Sequence, residues 1–176
     1  MSSLNKGHDR IEISLKWDPS PPGEPATDLD IIAAPYPADD PYGDPAYVVH
    51  PDSRSPDGTI TVDRDSTDGQ GLGYDEIMTV ELDRVHEQYA RVVVGIVIQQ
   101  QNPRTFARVT RPGLRIREGY TLLSETDFSG VPDATAAVVA EFRREGSGPW
   151  EADFAIRGFD EDPVAFARVM GAARRP

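Results

Sequence analysis

Ile11, Ile13, Leu15 and Trp17 alternate with Glu12, Ser14 and Lys16. A period of two places the apolar set on one face, so this segment reads as a half-buried strand. Residues 29–34 read as a second strand, ended by Pro35. Residues 36–46, dense in Pro, Asp and Tyr, read as an irregular excursion. A short strand at 47–49, the turn signature Ser55-Pro56-Asp57-Gly58 and a strand at 59–63 together predict a hairpin. Residues 77–82 alternate again, and 83–89 predict a short helical turn. The nearly continuous β-branched run at 92–98 is the candidate for a central strand. Asn102-Pro103 breaks it; 105–110 fits no single period, and 114–117 and 120–123 are short strands. Residues 135–142 are apolar enough for strand or helix. The turn at 146–149 and the alternation after it decide for strand: Trp150, Ala152, Phe154 and Ile156 share one face, Glu151, Asp153 and Arg157 the other. Asp162 followed by Pro163 is an N-cap and N1 pair. It opens a helix through Met170 with Phe166, Val169 and Met170 as its buried stripe.

Many short strands, frequent turns and one late helix predict an all-β chain, a two-sheet β-sandwich with short helices, one of them near the C-terminus. The 16 prolines and 15 glycines suit that many turns. At 176 residues the chain is expected to form one domain, with its core at about 10–172 and frayed ends to about residue 6 and at 174–176.

Thirty acidic against 18 basic residues give a formal charge of −12. Such a surface repels phosphate backbones and anionic lipid, so nucleic acid and membranes are not expected partners. There is no cysteine, which excludes disulfides, zinc–thiolate sites, iron–sulfur clusters and thiol redox chemistry. No apolar run reaches spanning length and the N-terminus lacks a signal-peptide core, so a cytoplasmic location is expected.

Candidate chemistry lies in the loop at 63–76. It holds five carboxylates and three glycines in fourteen residues. Hard cations such as calcium take six to eight oxygens, and glycines let a loop turn its carbonyls inward. The spacing is not that of an EF-hand: counting from Asp65 puts Glu76 at position 12, but Gln70 stands where the turn glycine belongs. A second acidic pair, Asp28 and Asp30, flanks Leu29 at a strand start. If Leu29 points inward, both carboxylates share the outer face. Taken alone, the loop reads first as a solvated acidic surface. The three histidines lie far apart, and no Walker or nucleophile-elbow pattern is present.

Trp17-Asp18, Asp28-Leu29-Asp30, Ser55-Pro56-Asp57-Gly58 and the Asp/Gly loop ending Asp75-Glu76-Ile77 occur in that order. So do Thr105-Phe106-Ala107-Arg108-Val109, Glu141-Phe142-Arg143-Arg144, and the stretch from Pro149-Trp150 to Gly158-Phe159. In order and spacing the chain resembles the tellurium-resistance family of TerD type over about residues 10–172. That family carries a GWD stretch, a DLD motif, an SPDG-like turn, a GDNxTGxGxGDDE loop and an ELYR strand. The resemblance implies a calcium-binding β-sandwich linked to tellurium and stress resistance. It implies metal ligands at Asp28, Asp30, Asp65, Gly69, Gln70, Asp75 and Glu76. Ser66 stands where the family has Asn, Gln70 where it has an acid, and Leu72 and Tyr74 where it has Asp. Each lost oxygen or charge lowers the expected affinity. The resulting expectation is a non-enzymatic module, organised by Ca2+ at 28–30 and 63–76, that binds other proteins, such as those of a stress-response complex. The alternative is a metal-independent interaction or scaffold domain with Leu72 and Tyr74 as an exposed apolar patch. A glycosidase with paired carboxylates is a third class, but nothing fixes a second carboxylate at a defined distance.

Overall fold

The computed structural model describes residues 7–51, 53–65, 69–71, 73–99 and 104–172. The expected frayed ends therefore lie outside the described residues. Ten strands form two antiparallel sheets. The first holds β1 (Arg10–Lys16), β3 (Ile60–Arg64), β4 (Glu76–Glu81), β6 (Gly113–Glu118) and β7 (Thr121–Thr126) in the order β3-β4-β1-β6-β7. The second holds β2 (Leu29–Pro37), β5 (Tyr89–Ile98), β8 (Ala136–Arg143) and β10 (Arg157–Phe159) in the order β10-β8-β5-β2, with β9 (Glu151–Asp153) also paired to β8. Single 3-10 turns at Leu82–Arg84 and Phe106–Arg108 occupy the two segments read as helical or ambiguous.

The main core lies between the sheets. Ile11, Ile13 and Leu15 of β1 and Trp17 just after it pack with Leu29, Ile31 and Ala33 of β2 and Val92, Val94 and Ile96 of β5. The intervening residues of the second sheet are buried too. Ile32, Ala34, Tyr36, Val93 and Val97 face outward, and helix α1 (Pro163–Val169) covers them with Phe166 and Met170. Burial on both faces explains why β5 reads as an unbroken apolar run. The helix starts where Asp162 Oδ1 accepts the Ala165 N–H at 2.8 Å, satisfying a first-turn donor. It can lie this close because β5 carries Gly95: a Cβ there would sit 2.6 Å from Phe166 Cε2.

Three readings of the sequence are corrected. Pro35 does not end β2, which runs to Pro37. β2 is an edge strand, and its outward N–H groups fall at alternate residues: Ala33 donates to Val49, and Ile31 to a side chain. Position 35 shares that parity, so proline lacks only a donor that no neighbouring strand needs. The segments 47–49 and 59–63 do not form a hairpin. Val49 bridges to Ala33 in the second sheet, whereas β3 pairs with β4 in the first. The turn at 55–58 therefore carries the chain from one sheet to the other. The alternation after Trp150 is not one strand either. Asp153 Oδ1 accepts the Ala155 N–H at 2.9 Å, a local turn that competes with the ladder and separates β9 from β10. Among the described residues, no helix is long and apolar enough to cross a membrane.

Phe166→Ala removes a fully buried ring from the smaller core and is expected to cost about 3–5 kcal/mol. Val164→Ala, two residues earlier and so on the opposite side of the helix at a residue 67% exposed, is expected to stay within about 0.5 kcal/mol. Denaturant unfolding of both variants checks the packing: equal midpoints would show that α1 does not cover the second sheet.

Candidate metal centre

Met78 and Val80 of β4 are buried in the main core. The same inward parity extends back to Glu76, the first residue of the strand, so its carboxyl points between the sheets and is 0% exposed. Glu76 Oε1 accepts the Ile31 N–H of β2 at 2.8 Å. Glu76 Oε2 is buried with no hydrogen-bond donor facing it. Leu29 and Ile31 point into the core, which leaves Asp30 on the outer face of β2, 7% exposed. Asp65, just past the end of β3, is exposed. One ligand oxygen from each of Asp30, Asp65 and Glu76 lies within 4.8 Å of the others.

Three carboxyls this close cannot all ionise freely in a partly buried site. Burial pushes Glu76 up to about 10, and the neighbouring Asp30, Asp65 and Asp28 charges add to the shift against the Ile31 hydrogen bond. Asp30 is also raised, first by burial and then by Asp65, while the Gln99 amide and Glu76 itself hold it down. Glu76 thus has two ways to be stable at neutral pH: it keeps a proton, or a cation takes the proton's place. The donor set is all oxygen, which suits a hard divalent cation and not a soft one. Asp30, Asp65 and Glu76 are the residues that would hold such an ion.

The other expected ligands fall elsewhere among the described residues. Asp28, just before β2, is near enough to raise Glu76 but is not one of the close three. Asp75 precedes Glu76 and so faces the opposite way. Its Oδ2 accepts the Trp17 N–H at 2.8 Å, and its own N–H donates to Leu15 O. Gly69 has φ +78°, and a Cβ there would lie 2.6 Å from Trp17 Nε1, so only glycine fits against the indole. Gly69, Gln70 and Asp75 line a shallow cleft of about 350 Å3 beside Lys16 and Trp17. Ser66 and Leu72 lie outside the described residues. Tyr74 is half-buried and lines a pocket with Lys16 and Arg115.

Gln99 was missed by the sequence reading. It follows β5, and its Nε2 donates to Asp30 Oδ2 at 2.5 Å. Asp30 pairs with Val97 across the ladder, so Gln99 shares Asp30's outer face. Only the register reveals it, because a lone Gln after an apolar run carries no signal.

The fold and site together define a β-sandwich with a semi-buried, all-oxygen acidic cluster at one end of its two sheets. The model of the TerD domain matches residues 1–168, and the chain belongs to the TerD family. Two solved structures are similar over 96% of this chain and 100% of their own. One is a protein of unknown function, SAV2460, at 61% identity and a TM-score of 0.94. The other is a homologue of telluride resistance protein (TerD), SCO6318 from Streptomyces coelicolor A3(2), at 53% identity and a TM-score of 0.92. No curated protein matches the chain.

The raised Glu76 sets a pH dependence for metal-stripped protein. A carboxyl that titrates near 4.5 when unfolded and near 10 when folded binds more protons in the folded state between those values. Its contribution is complete below the lower value and is lost as pH rises through the upper one. The melting temperature of the wild type is therefore expected to fall relative to Glu76→Gln between pH 5 and 9. Parallel curves would show that Glu76 ionises normally.

Proposed function

We propose that this chain is a non-enzymatic calcium-binding module. The ion joins the end of β3, the start of β4 and the start of β2, and so organises one end of the sandwich for other proteins to read. The observation that carries this reading is the buried Glu76 carboxyl, whose Oε2 has no donor while Asp30 and Asp65 stand close by. A calcium ion would supply the missing positive charge, with water and loop carbonyls completing six to eight oxygens. Magnesium is disfavoured because it demands a tight octahedron and releases its water reluctantly. A role in tellurium or stress resistance, as the similarity to a telluride-resistance homologue suggests, would be carried by binding. A chain without cysteine has no thiol with which to reduce an oxyanion. The reading places the protein in the cytoplasm.

The metal-independent scaffold remains the second reading, and one observation favours it. Glu76 Oε1 fastens β2 to β4, and a protonated Glu76 would do so without an ion.

Calcium calorimetry on metal-stripped protein separates the two. Saturable binding is expected in the micromolar to low millimolar range, with magnesium competing weakly. Asp30→Asn and Glu76→Gln should each weaken it at least tenfold. Asp75→Asn, which lies outside the close three and accepts the Trp17 N–H through Oδ2, should change affinity less than either. Absence of heat and of any melting shift at tens of millimolar calcium would leave the scaffold reading.

A further inference from the structure

A second concave site lies beside the acidic cluster, on the outer face of the second sheet. It encloses about 450 Å3 between that sheet, α1 and the segment at 45–51. Its floor is Ile32, Val48 and Val97, and its helical wall is Val164, Ala167 and Arg168. Positions 164, 167 and 168 fall at i, i+3 and i+4, so they share one stripe of α1. That stripe overlaps the core-facing one only at Ala167, which packs against the smaller core. Phe166 and Met170 are fully buried, whereas Val164 is 67% exposed. The helix thus spends Phe166 and Met170 on the sheet and leaves Val164 and Arg168 to the pocket.

Polar groups at the pocket are few. Asp30 and Gln99 are joined by the 2.5 Å amide–carboxylate bond, and His50 lies near enough to stabilise the Asp30 charge. Arg168 stands on the helix wall. It is exposed and, among the described residues, has no ion-pair or hydrogen-bond partner. Arg168 is the guanidinium that lines this largely apolar cavity. An apolar lining with a small number of placed polar groups, at this volume, is the usual make-up of a small-molecule site.

We propose that this pocket binds an apolar carboxylate: the hydrocarbon body lies on Ile32, Val97 and Val164, and the carboxylate pairs with Arg168. Guanidinium and carboxylate match in charge and in planar, two-pronged geometry. The same chemistry is offered by a small organic acid and by the C-terminus of a chain ending in an apolar residue. The inference does not rest on the calcium reading, since it uses residues that would bind with or without an ion.

The test is an NMR titration of metal-stripped protein with three probes: 3-phenylpropionate, N-acetyl-leucine and the neutral 3-phenylpropanol. Saturable shifts centred on the pocket residues are expected for at least one of the two acids. Tighter binding of phenylpropionate would assign a small acid as the source, and tighter binding of N-acetyl-leucine a chain terminus. Arg168→Gln should weaken the bound acid about tenfold and leave the alcohol unchanged. Val164→Glu should abolish binding of all three. Both residues are exposed, and unchanged melting temperatures would confirm that the variants fold. The proposal is overturned if neither acid saturates at tens of millimolar, or if both variants bind them as the wild type does.

Discussion

One hydrogen bond organises this end of the molecule: the Ile31 N–H of β2 to the Glu76 carboxyl of β4. β2 is a free edge of the second sheet, and a free edge exposes donors that invite wrong pairing. Here the donor at 33 goes to Val49, position 35 is a proline, and the donor at 31 goes across the sandwich to the other sheet. A glutamate at the inward position of β4 therefore closes an edge and links two sheets at once. For that task only an acceptor is needed, and glutamine would serve. A carboxyl that can ionise is surplus to the fold, and its charge would be costly in a buried site. Its presence, with Asp30 and Asp65 alongside, is what points from architecture to chemistry.

The alternating strands were legible because burial on one face writes a period of two. Residues 11–17 show it plainly, and all four of their inward residues are in the main core. What failed was inference from local punctuation. Pro35 looks like a stop only if the strand has partners on both sides. The Ser55–Gly58 turn looks like a hairpin only if its two arms belong to one sheet. Both depend on which strands lie at edges, a property of topology that no short window contains.

The acidic loop shows the same limit at the level of the site. Counting carboxylates singled out Asp65, Asp75 and Glu76 together, yet adjacent residues of a strand point to opposite sides. Asp75 anchors the Trp17 backbone, and Gly69 packs on the Trp17 indole, whose Nε1 donates to Thr27 O. These residues seat the loop. Glu76 and Asp65, with Asp30 from the other sheet, face the common point. The parity was available in principle, since Met78 and Val80 mark the inward side of β4 and Glu76 continues their series. The partnership with Gln99 was not, because it exists only through the register of β2 against β5.

Net charge contributes little to the argument for an ion. Exposed carboxylates spread over a surface attract cations diffusely, and salt screens that attraction within about 10 Å. A site differs when desolvation leaves an ion or a proton as the only ways to settle a charge, and Glu76 meets that condition. Asp30 meets it in part, because the Gln99 amide already occupies one of its oxygens. That amide stands between the acidic cluster and the apolar pocket, so an ion drawing on Asp30 would alter the hydrogen bond that shapes the pocket's polar wall. An ion on Asp30 and a ligand in the pocket would then be coupled through that hydrogen bond, equally in both directions.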